Sequence, residues 1–161
     1  MRCLAARYPD GLIGEIGTGP GVSTAWLISG MGERARLISC DIDRVLADGA
    51  AAFFAPWPNV EIRCGDWETV LAPAGPFDLL FFDANAAIVL ARQDDTDWLV
   101  NLLTVGGTIV MDDLAPVEMW PDDWKGMTDH KREFCLCNAR LAGAEVRTSA
   151  TTVSVVGTRL R

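Results

Sequence analysis

The 161-residue sequence is poor in the residues that several common enzyme chemistries require. It has one tyrosine, Tyr8, one histidine, His130, and two lysines, Lys125 and Lys131. A short-chain reductase needs a tyrosine and a lysine one helical turn apart, and the chain contains no such pair. No Gly-Lys-Ser or Gly-Lys-Thr follows a glycine-rich segment, which argues against P-loop phosphate chemistry.

Disulfide, zinc and membrane features are also missing. The five cysteines contain no Cys-x-x-Cys pair and leave one over, which argues against a disulfide framework or a zinc site. No apolar run approaches the roughly 18 residues of a membrane span, and the first residues lack the apolar core of a signal peptide. We therefore expect a soluble cytoplasmic protein without a membrane partner, in which residues 1–161 form one domain.

Basic residues are absent from one part of the chain. The net charge is -8, and segment 94–123 holds eight acidic residues with no lysine or arginine, while the rest of the chain balances 14 acidic residues against 14 basic ones. Phosphate backbones repel such a chain, so no nucleic acid partner is expected. We expect Asp94, Asp95 and Asp97 to lie at a helix start, where negative charge meets the positive end of the helix dipole.

Short apolar, β-rich runs alternate with helical stretches, which is typical of parallel α/β proteins. The pattern predicts strands over 12–16, 36–40, 60–64, 77–82 and 108–111, and a closing antiparallel hairpin over 144–148 and 152–158. It predicts helices over 22–30, 44–55, 67–71, 97–103 and 128–141. Ligands of open α/β sheets bind beyond the carboxyl ends of the strands, so the residues that follow each strand are the candidates for a site.

The strongest motif is the glycine-rich segment 15–21, with the sequence EIGTGPG, between the first strand and the first long helix. Glycine is needed where the backbone turns with positive φ or where a ligand approaches the chain closely. Asp41 follows 20 residues after Gly21, where a carboxylate can accept both hydroxyls of an adenosine ribose. An NAD fingerprint fits poorly, because its third glycine would stand at Val22. A tight turn without a ligand stays open as an alternative.

Three further motifs follow later strands in order: CGDW at 64–67, FDLLFFDA at 77–84 and GGTIVMDD at 106–113. Together with the glycine-rich segment they resemble the class I S-adenosylmethionine-dependent methyltransferases, and among these the small O-methyltransferases of the catechol and caffeoyl-CoA type. The resemblance implies a Rossmann-like sheet of seven strands, five parallel plus a C-terminal antiparallel hairpin, with helices on both faces. It also implies methyl transfer from S-adenosyl-L-methionine to a small molecule, which we expect at a hydroxyl oxygen. Binding of the cofactor without turnover, and another transferase or NAD enzyme on a related sheet, such as an aminopropyltransferase, stay open.

The resemblance also implies which residues bind the cofactor. The glycine-rich segment would hold the methionine part, Asp41 the ribose, and the third-strand motif the adenine, although Trp67 has a plain core position as its alternative. The cofactor-binding candidates are Glu15, Gly17, Thr18, Gly19, Gly21, Asp41, Ile42, Gly65, Asp66, Trp67 and Asp83.

Acidic residues at two strand ends raise the question of a metal. In the metal-dependent branch of the resembled family, an acid after the fourth strand and an Asp-Asn pair after the fifth bind a divalent cation, which implies Mg²⁺ at Asp83, Asp112 and Asp113. Two departures count against it, since Asp113 replaces the asparagine and Ala86 stands where a lysine is expected. Asp83 as an acid of the cofactor pocket is the alternative. Asp112 and His130 are the candidates for catalysis, with a solvated helix face as the ordinary explanation for His130.

The acceptor side is less defined by the sequence. Trp120, Trp124 and Met119 lie beyond the fifth strand, where they would either line a pocket for an aromatic acceptor or cover the sheet edge. The acids of the same loop, Glu118, Asp122 and Asp123, would favour a sulfonium, a metal or a cationic acceptor. The resembled family carries helices before the glycine-rich segment, and here only 16 residues precede Gly17. We therefore expect an open pocket, one completed by a second copy in a homodimer, or one formed by loop 114–127.

Overall fold

The computed structural model describes residues 1–84, 90 and 97–161. The described residues form one seven-stranded sheet, in the order β3-β2-β1-β4-β5-β7-β6. Strands β1 to β5 run parallel, and β7 is antiparallel to both β5 and β6. The strands are β1 (Leu12–Ile16), β2 (Arg36–Asp41), β3 (Val60–Cys64), β4 (Phe77–Phe82), β5 (Leu103–Leu114), β6 (Leu141–Arg147) and β7 (Val153–Arg159). The predicted fold class is confirmed.

Helices connect the parallel strands. In the described part of the chain they are α1 (Arg2–Ala5), α2 (Val22–Ile28), α3 (Arg44–Phe54), α4 (Trp67–Val70), α5 (Asp97–Asn101) and α6 (His130–Cys137). Short 3-10 turns at Val117–Met119 and Asp122–Trp124 lie between β5 and α6. An aspartate starts each of α3, α4 and α6, because its carboxylate accepts a hydrogen bond from a backbone N–H of the first turn. None of the described helices is long and apolar enough to cross a membrane.

The core has two apolar layers, one on each face of the sheet. In β4, Leu79 and Phe81 belong to the layer that includes residues of α1 and α2, while Leu80 and Phe82 belong to the layer that includes residues of α4, α5 and α6. The unbroken apolar run of β4 is thus covered on both faces, as parallel central strands are. Between β1 and β4 the sheet order changes direction, which opens a crevice at their carboxyl ends.

Several element bounds differ from the predictions. Strand β5 begins at Leu103 rather than 108, because Leu103 pairs with Phe77 ahead of a register shift, and Gly106 at φ 83° lies inside the strand. The predicted helix 128–141 ends at Cys137, and Leu141 instead begins β6 by pairing with Arg159. The backbone of β6 passes so close to α6 that a Cβ at Gly143 would overlap the Cys135 carbonyl.

Smaller differences occur at other element ends. The helix predicted over 22–30 ends at Ile28, and the helix predicted over 97–103 ends at Asn101. Strand β6 begins at Leu141 rather than 144, and β7 begins at Val153 rather than 152. Asp97 is the first residue of α5, as expected for an acid at a helix start. Asp94, Asp95 and Ala86 lie outside the described residues.

Candidate functional site

Backbone hydrogen bonds fold the glycine-rich segment over the end of β2. The N–H groups of Gly17 and Thr18 both donate to the Cys40 carbonyl, at 2.9 and 3.1 Å. The Gly21 N–H then donates to the Thr18 carbonyl at 2.9 Å, and the Thr18 hydroxyl lies 2.6 Å from that of Ser39. Thr18 is buried, so this side chain anchors the loop from below. We call residues 17–21 the glycine loop.

Three glycines of this loop have positive φ, for different reasons. At Gly17, with φ 95°, a Cβ would overlap the carbonyl oxygen of Asp83. At Gly21, with φ 86°, a Cβ would lie 2.7 Å from the Phe54 ring. At Gly19, with φ 51°, a Cβ would meet nothing within 4 Å. Packing thus excludes side chains at the two ends of the loop, while the middle faces open space that a ligand can approach closely.

Asp41, at the end of β2, joins the glycine loop to the start of the next helix. Its Oδ2 atom accepts a hydrogen bond of 2.7 Å from the Gly19 N–H, and its Oδ1 atom accepts one of 2.9 Å from the Asp43 N–H. A carboxylate has about four acceptor sites, so both oxygens keep capacity for ligand hydroxyls. The predicted ribose-binding acid is therefore also the group that orders the loop.

A cavity of about 380 Å³, which we call the strand-end cavity, lies at the carboxyl ends of β1 to β4. Trp67 forms part of its wall and stacks on Trp98, with ring centroids 5.3 Å apart, so it is a core residue and a lining residue at once. Ile42 lines it with 76% of its surface exposed. Asp66 is exposed at the rim, where its Oδ1 atom also caps α4. The lining is Ile16, Gly17, Cys40, Asp41, Ile42, Gly65, Asp66, Trp67, Phe82, Asp83 and Ala84.

A second cavity of about 380 Å³, the glycine-loop cavity, lies on the other side of Asp41. Gly17, Asp41 and Asp83 line both cavities, so the two form one continuous cleft along the crevice of the sheet. The remaining lining residues of the glycine-loop cavity are Met1, Thr18, Gly19, Pro20, Val22, Ser23, Trp26, Phe81 and Asp112. The structure thus brings most of the predicted cofactor-binding residues together in a single cleft.

Glu15 lies beneath the cleft rather than in its wall. The side chain is fully buried and belongs to the lining of neither cavity. Its Oε2 atom accepts a hydrogen bond of 2.5 Å from the Thr24 hydroxyl, and its Oε1 atom has no hydrogen-bond partner among the described residues. Burial raises the pKa of this carboxyl above its ordinary value. Glu15 therefore supports α2 from below the loop.

Three acids, Asp83, Asp112 and Asp113, meet where β4 and β5 end, and we call them the acidic edge. Partial burial, the charge of Asp113 and the charge of Asp112 raise the pKa of Asp83 to about 6, and Lys131 opposes this rise. The Oδ1 atom of Asp112 accepts a hydrogen bond of 2.6 Å from the Ser154 hydroxyl. The Lys131 ammonium donates a 2.6 Å hydrogen bond to the Asp112 carbonyl.

The acidic edge does not fit the divalent cation that the family resemblance implies. Within residues 1–84, 90 and 97–161, no group of three or more histidine, cysteine, aspartate or glutamate side chains is placed to share a metal ion. The Lys131 ammonium donates to the Asp112 carbonyl, so a positive charge already lies at this edge. Asp113, at φ 60°, lines a different cavity from Asp83. The described residues of the acidic edge therefore do not form a metal site.

A third cavity, of about 340 Å³, adjoins the acidic edge through Asp113, and we call it the tryptophan cavity. Trp120 and Trp124 form its apolar wall with their rings edge to face, 6.3 Å apart. The tryptophans thus line a pocket, one of the two predicted positions. Met127 joins them, while Met119 is exposed outside the lining. The remaining lining residues are Leu114, Ala115, Thr128, Asp129, His130 and Lys131.

Comparison with known proteins identifies the family. The family model described as a methyltransferase domain matches residues 15–114, more than half of the chain. The chain belongs to this methyltransferase domain family. The matched segment contains the glycine loop, the strand-end cavity and the acidic edge, whereas the tryptophan cavity is built mainly from residues after it.

Relatives of this methyltransferase domain carry O-methyltransferase names. A Mycobacterium tuberculosis protein named "Probable O-methyltransferase" is 36% identical over 122 residues, covering 69% of this chain and 51% of that protein. The "Catechol O-methyltransferase" of Niastella koreensis is 27% identical over 157 residues, covering 90% of this chain and 67% of that protein. The chain spans about half the length of the Mycobacterium relative.

A solved structure has the same fold. The crystal structure of the O-methyltransferase from Bacillus cereus in complex with SAH superposes with a TM-score of 0.75 at 21% identity. The alignment covers 98% of this chain and 80% of that one. At this identity the likeness shows the fold of the methyltransferase domain.

Two further side chains of α6 lie at the tryptophan cavity of the methyltransferase domain, Lys131 in its lining and Arg132 behind Trp120, and the sequence analysis singled out neither. Arg132 is buried, donates to the Asp129 and Glu145 carboxylates and to the Ala115 carbonyl, and lies over the Trp120 ring. Lys131 reaches the acidic edge. Both residues belong to a run of charged residues, 129–133, that is typical of a solvated helix face. The spacing of Asp129 and Arg132, three residues apart on a helix, is the feature of the sequence that indicates an ion pair.

His130 occupies the position that the sequence suggested, at the start of α6. It lines the tryptophan cavity, and its Nδ1 atom lies 3.8 Å from Glu133 Oε2. A part of the ring surface is exposed, so both the catalytic hypothesis and the solvated alternative stay compatible with this position.

Proposed function

We propose that this protein is an S-adenosylmethionine-dependent methyltransferase that methylates a hydroxyl oxygen of a small molecule. The observation that carries the proposal is the glycine loop, whose open middle residue, Gly19, is tied to Asp41 inside a cleft of a methyltransferase domain. The O-methyltransferase names of the relatives, and the SAH held by the Bacillus cereus structure, support the same activity.

The cleft suggests how the methyl donor lies. Its adenine would occupy the strand-end cavity, between the apolar surfaces of Trp67 and Ile42, with Asp66 at the exocyclic amino group. Its ribose hydroxyls would meet the remaining acceptor sites of Asp41. The methionine end would then follow the glycine loop, where the backbone can approach it closely.

This arrangement directs the sulfonium methyl group toward the acidic edge and the tryptophan cavity. The acceptor would pack its apolar part against Trp120, Trp124 and Met127, which favours an aromatic molecule. The acceptor oxygen attacks the methyl carbon in line as the carbon–sulfur bond breaks, and the electron pair of that bond goes to sulfur. The hydroxyl proton must leave as well, and His130 and Asp112 are the candidates for accepting it.

A ligand panel tests the proposed cofactor. We expect S-adenosylmethionine and S-adenosylhomocysteine to raise the melting temperature and NAD to leave it unchanged, because a ligand that binds the native state stabilises it. No response to the first two ligands would contradict the proposal. Transfer of a labelled methyl group to members of a hydroxyl-bearing aromatic library then separates turnover from binding alone, and His130→Ala in the same assay tests the proton acceptor.

We also propose that the protein is cytoplasmic, forms one domain and assembles as a homodimer. Cys3, Cys40, Cys64, Cys135 and Cys137 are all described and all free, which favours a reducing cytoplasm. One sheet takes strands from the whole stretch between Leu12 and Arg159, which favours one domain over residues 1–161. The homodimer is tested by light scattering, where a monomer mass at every concentration would contradict it.

A further inference from the structure

Lys131 lies where the tryptophan cavity meets the glycine-loop cavity. It lines the first cavity, and its ammonium bonds the carbonyl of Asp112, which lines the second. The ammonium is also close enough to Asp83 to lower the pKa that partial burial, Asp113 and Asp112 raise. A single positive charge therefore lies at the acidic edge, bonded to the backbone of Asp112 and acting on the carboxylate of Asp83.

Neighbouring cations are engaged elsewhere. Arg132, the next residue of α6, directs its guanidinium to the carboxylates of Asp129 and Glu145. The strand-end, glycine-loop and tryptophan cavities are lined by described residues of which Lys131 is the only lysine or arginine. It is half-buried, and the buried Arg132 beside it fixes α6 to the carbonyl of Ala115.

We infer that the Lys131 ammonium is a built-in cation of the acidic edge, and that it takes the place of the divalent cation that the family resemblance implies. It holds the Asp112 carbonyl directly, while Ser154 holds the Asp112 carboxylate, so both polar groups of that residue are fixed from within the chain. Lys131 is thus a positioning residue for the end of β5, where Asp112 lines the glycine-loop cavity and Asp113 lines the tryptophan cavity. The catalytic part of this inference rests on the proposed function.

The positive charge of Lys131 affects how strongly the acidic edge attracts other cations. With Lys131 present, a divalent cation that approaches the acidic edge meets an ammonium already there. Without it, the negative charges of the acidic edge have no cation of the chain beside them, so each attracts an added cation more strongly. Near a protein surface, removing one positive charge a few ångströms from a cation site strengthens cation binding measurably.

Calorimetric titration with MnCl₂ and MgCl₂ tests the inference on the protein without any methyl donor. We expect no stoichiometric cation uptake by the wild-type protein. We expect Lys131→Met to bind Mn²⁺ at least about tenfold more tightly than the wild type. Lys131→Arg should restore the wild-type behaviour because it keeps the charge. Lys125→Met is the matched control, since that lysine is exposed and pairs with Asp122.

Two results would overturn the inference. One is stoichiometric Mg²⁺ or Mn²⁺ uptake by the wild-type protein, which needs no variant to fold. The other is a Lys131→Met protein with a wild-type circular dichroism spectrum and no gain in Mn²⁺ affinity. A chelator should leave the methyl transfer rate of the wild type unchanged. Failure of the proposed function is seen separately, as the absence of any melting-temperature response to S-adenosylhomocysteine.

Discussion

The backbone N–H of Gly19 donates a 2.7 Å hydrogen bond to the Oδ2 atom of Asp41, which lies 22 residues later in the chain. The same carboxylate accepts the Asp43 N–H through Oδ1. One side chain therefore connects the loop after β1 to the helix start after β2. A loop that is ordered before its ligand arrives does not lose that conformational freedom on binding, which favours affinity.

Replacing Asp41 with asparagine tests this connection. The amide offers one acceptor oxygen in place of two, so it must turn an NH₂ group toward one of the two backbone N–H donors. Hydrogen bonds to charged groups contribute about 1.5–3 kcal/mol, so we expect S-adenosylhomocysteine affinity to fall at least about tenfold in calorimetry. Asp48→Asn, an exposed change on α3, is the control. Equal affinities for the two variants would refute the assignment.

The glycine loop gives a second prediction, on stability. Gly17→Ala should cost roughly 2–5 kcal/mol in the free energy of unfolding, because it adds both left-handed strain and an overlap with the Asp83 carbonyl. Gly19→Ala adds only the strain, about 1–2 kcal/mol, since its Cβ would lie in open space. Urea unfolding of both variants measures the difference. A Gly19→Ala protein as unstable as Gly17→Ala would contradict the distinction drawn between the two positions.

Asp83 predicts a specific pH dependence. Its pKa is about 6 in the folded protein, against an ordinary value of 3.8. Between about pH 4 and about pH 6 the folded state therefore holds more protons than the unfolded state, so the Asp83 contribution to stability falls as the pH rises through this window. Asp83→Asn removes the contribution.

The measurement is urea unfolding of Asp83→Asn and wild-type protein at several pH values. We expect the variant to gain stability relative to the wild type as the pH rises through the same window, and the difference to level off above it. A difference that stays constant with pH would show that the folded-state pKa of Asp83 is ordinary. Asp48→Asn again serves as the control for the loss of one surface carboxylate.

Arg132 gives a fourth prediction, which concerns the tryptophan cavity. Arg132→Met leaves Asp129 and Glu145 without their shared cation and the Ala115 carbonyl without a donor. The two carboxylates keep contact with solvent, so we expect a loss of about 1.5–3 kcal/mol in the free energy of unfolding. Arg147→Met breaks the exposed pair with Glu118 and should cost less than about 1 kcal/mol. Similar losses in thermal or urea unfolding would mean that Arg132 is not the anchor of α6.

The fold was largely predictable because its signals are local. The apolar run of β4 and the alternation of strands with helices lie in short windows of sequence. The prediction failed where tertiary contacts decide. Leu141 continues the helical spacing of α6, yet it pairs with Arg159 in the sheet, and Gly106 looks like the start of a strand although it lies inside one. Pairing across the sheet, which no local window contains, decides both cases.

The candidate site, too, was predictable only where its residues belong to local sequence motifs. The glycine loop and Asp41 follow strands at a fixed spacing, so the sequence placed them in one cleft. Glu15 belongs to the same motif, but its side chain is fully buried and accepts a hydrogen bond from Thr24 of α2 instead of lining the cleft. Lys131 and Arg132 gain their roles only because α6 packs against the end of β5, and their sequence neighbours give no sign of that contact.

The Phe54 ring occupies the space beside Gly21 where a side chain would otherwise lie, and Phe54 belongs to α3, which lines none of the three cavities. Phe54 is held in turn by Phe53 and Trp57, with ring centroids 5.0 and 5.8 Å away. The packing of α3 therefore restricts the end of the glycine loop, although no residue of this helix lines any of the three cavities. Substitutions at Phe53 or Phe54 would therefore change the conformation of the glycine loop, even with every residue that lines the cleft unchanged.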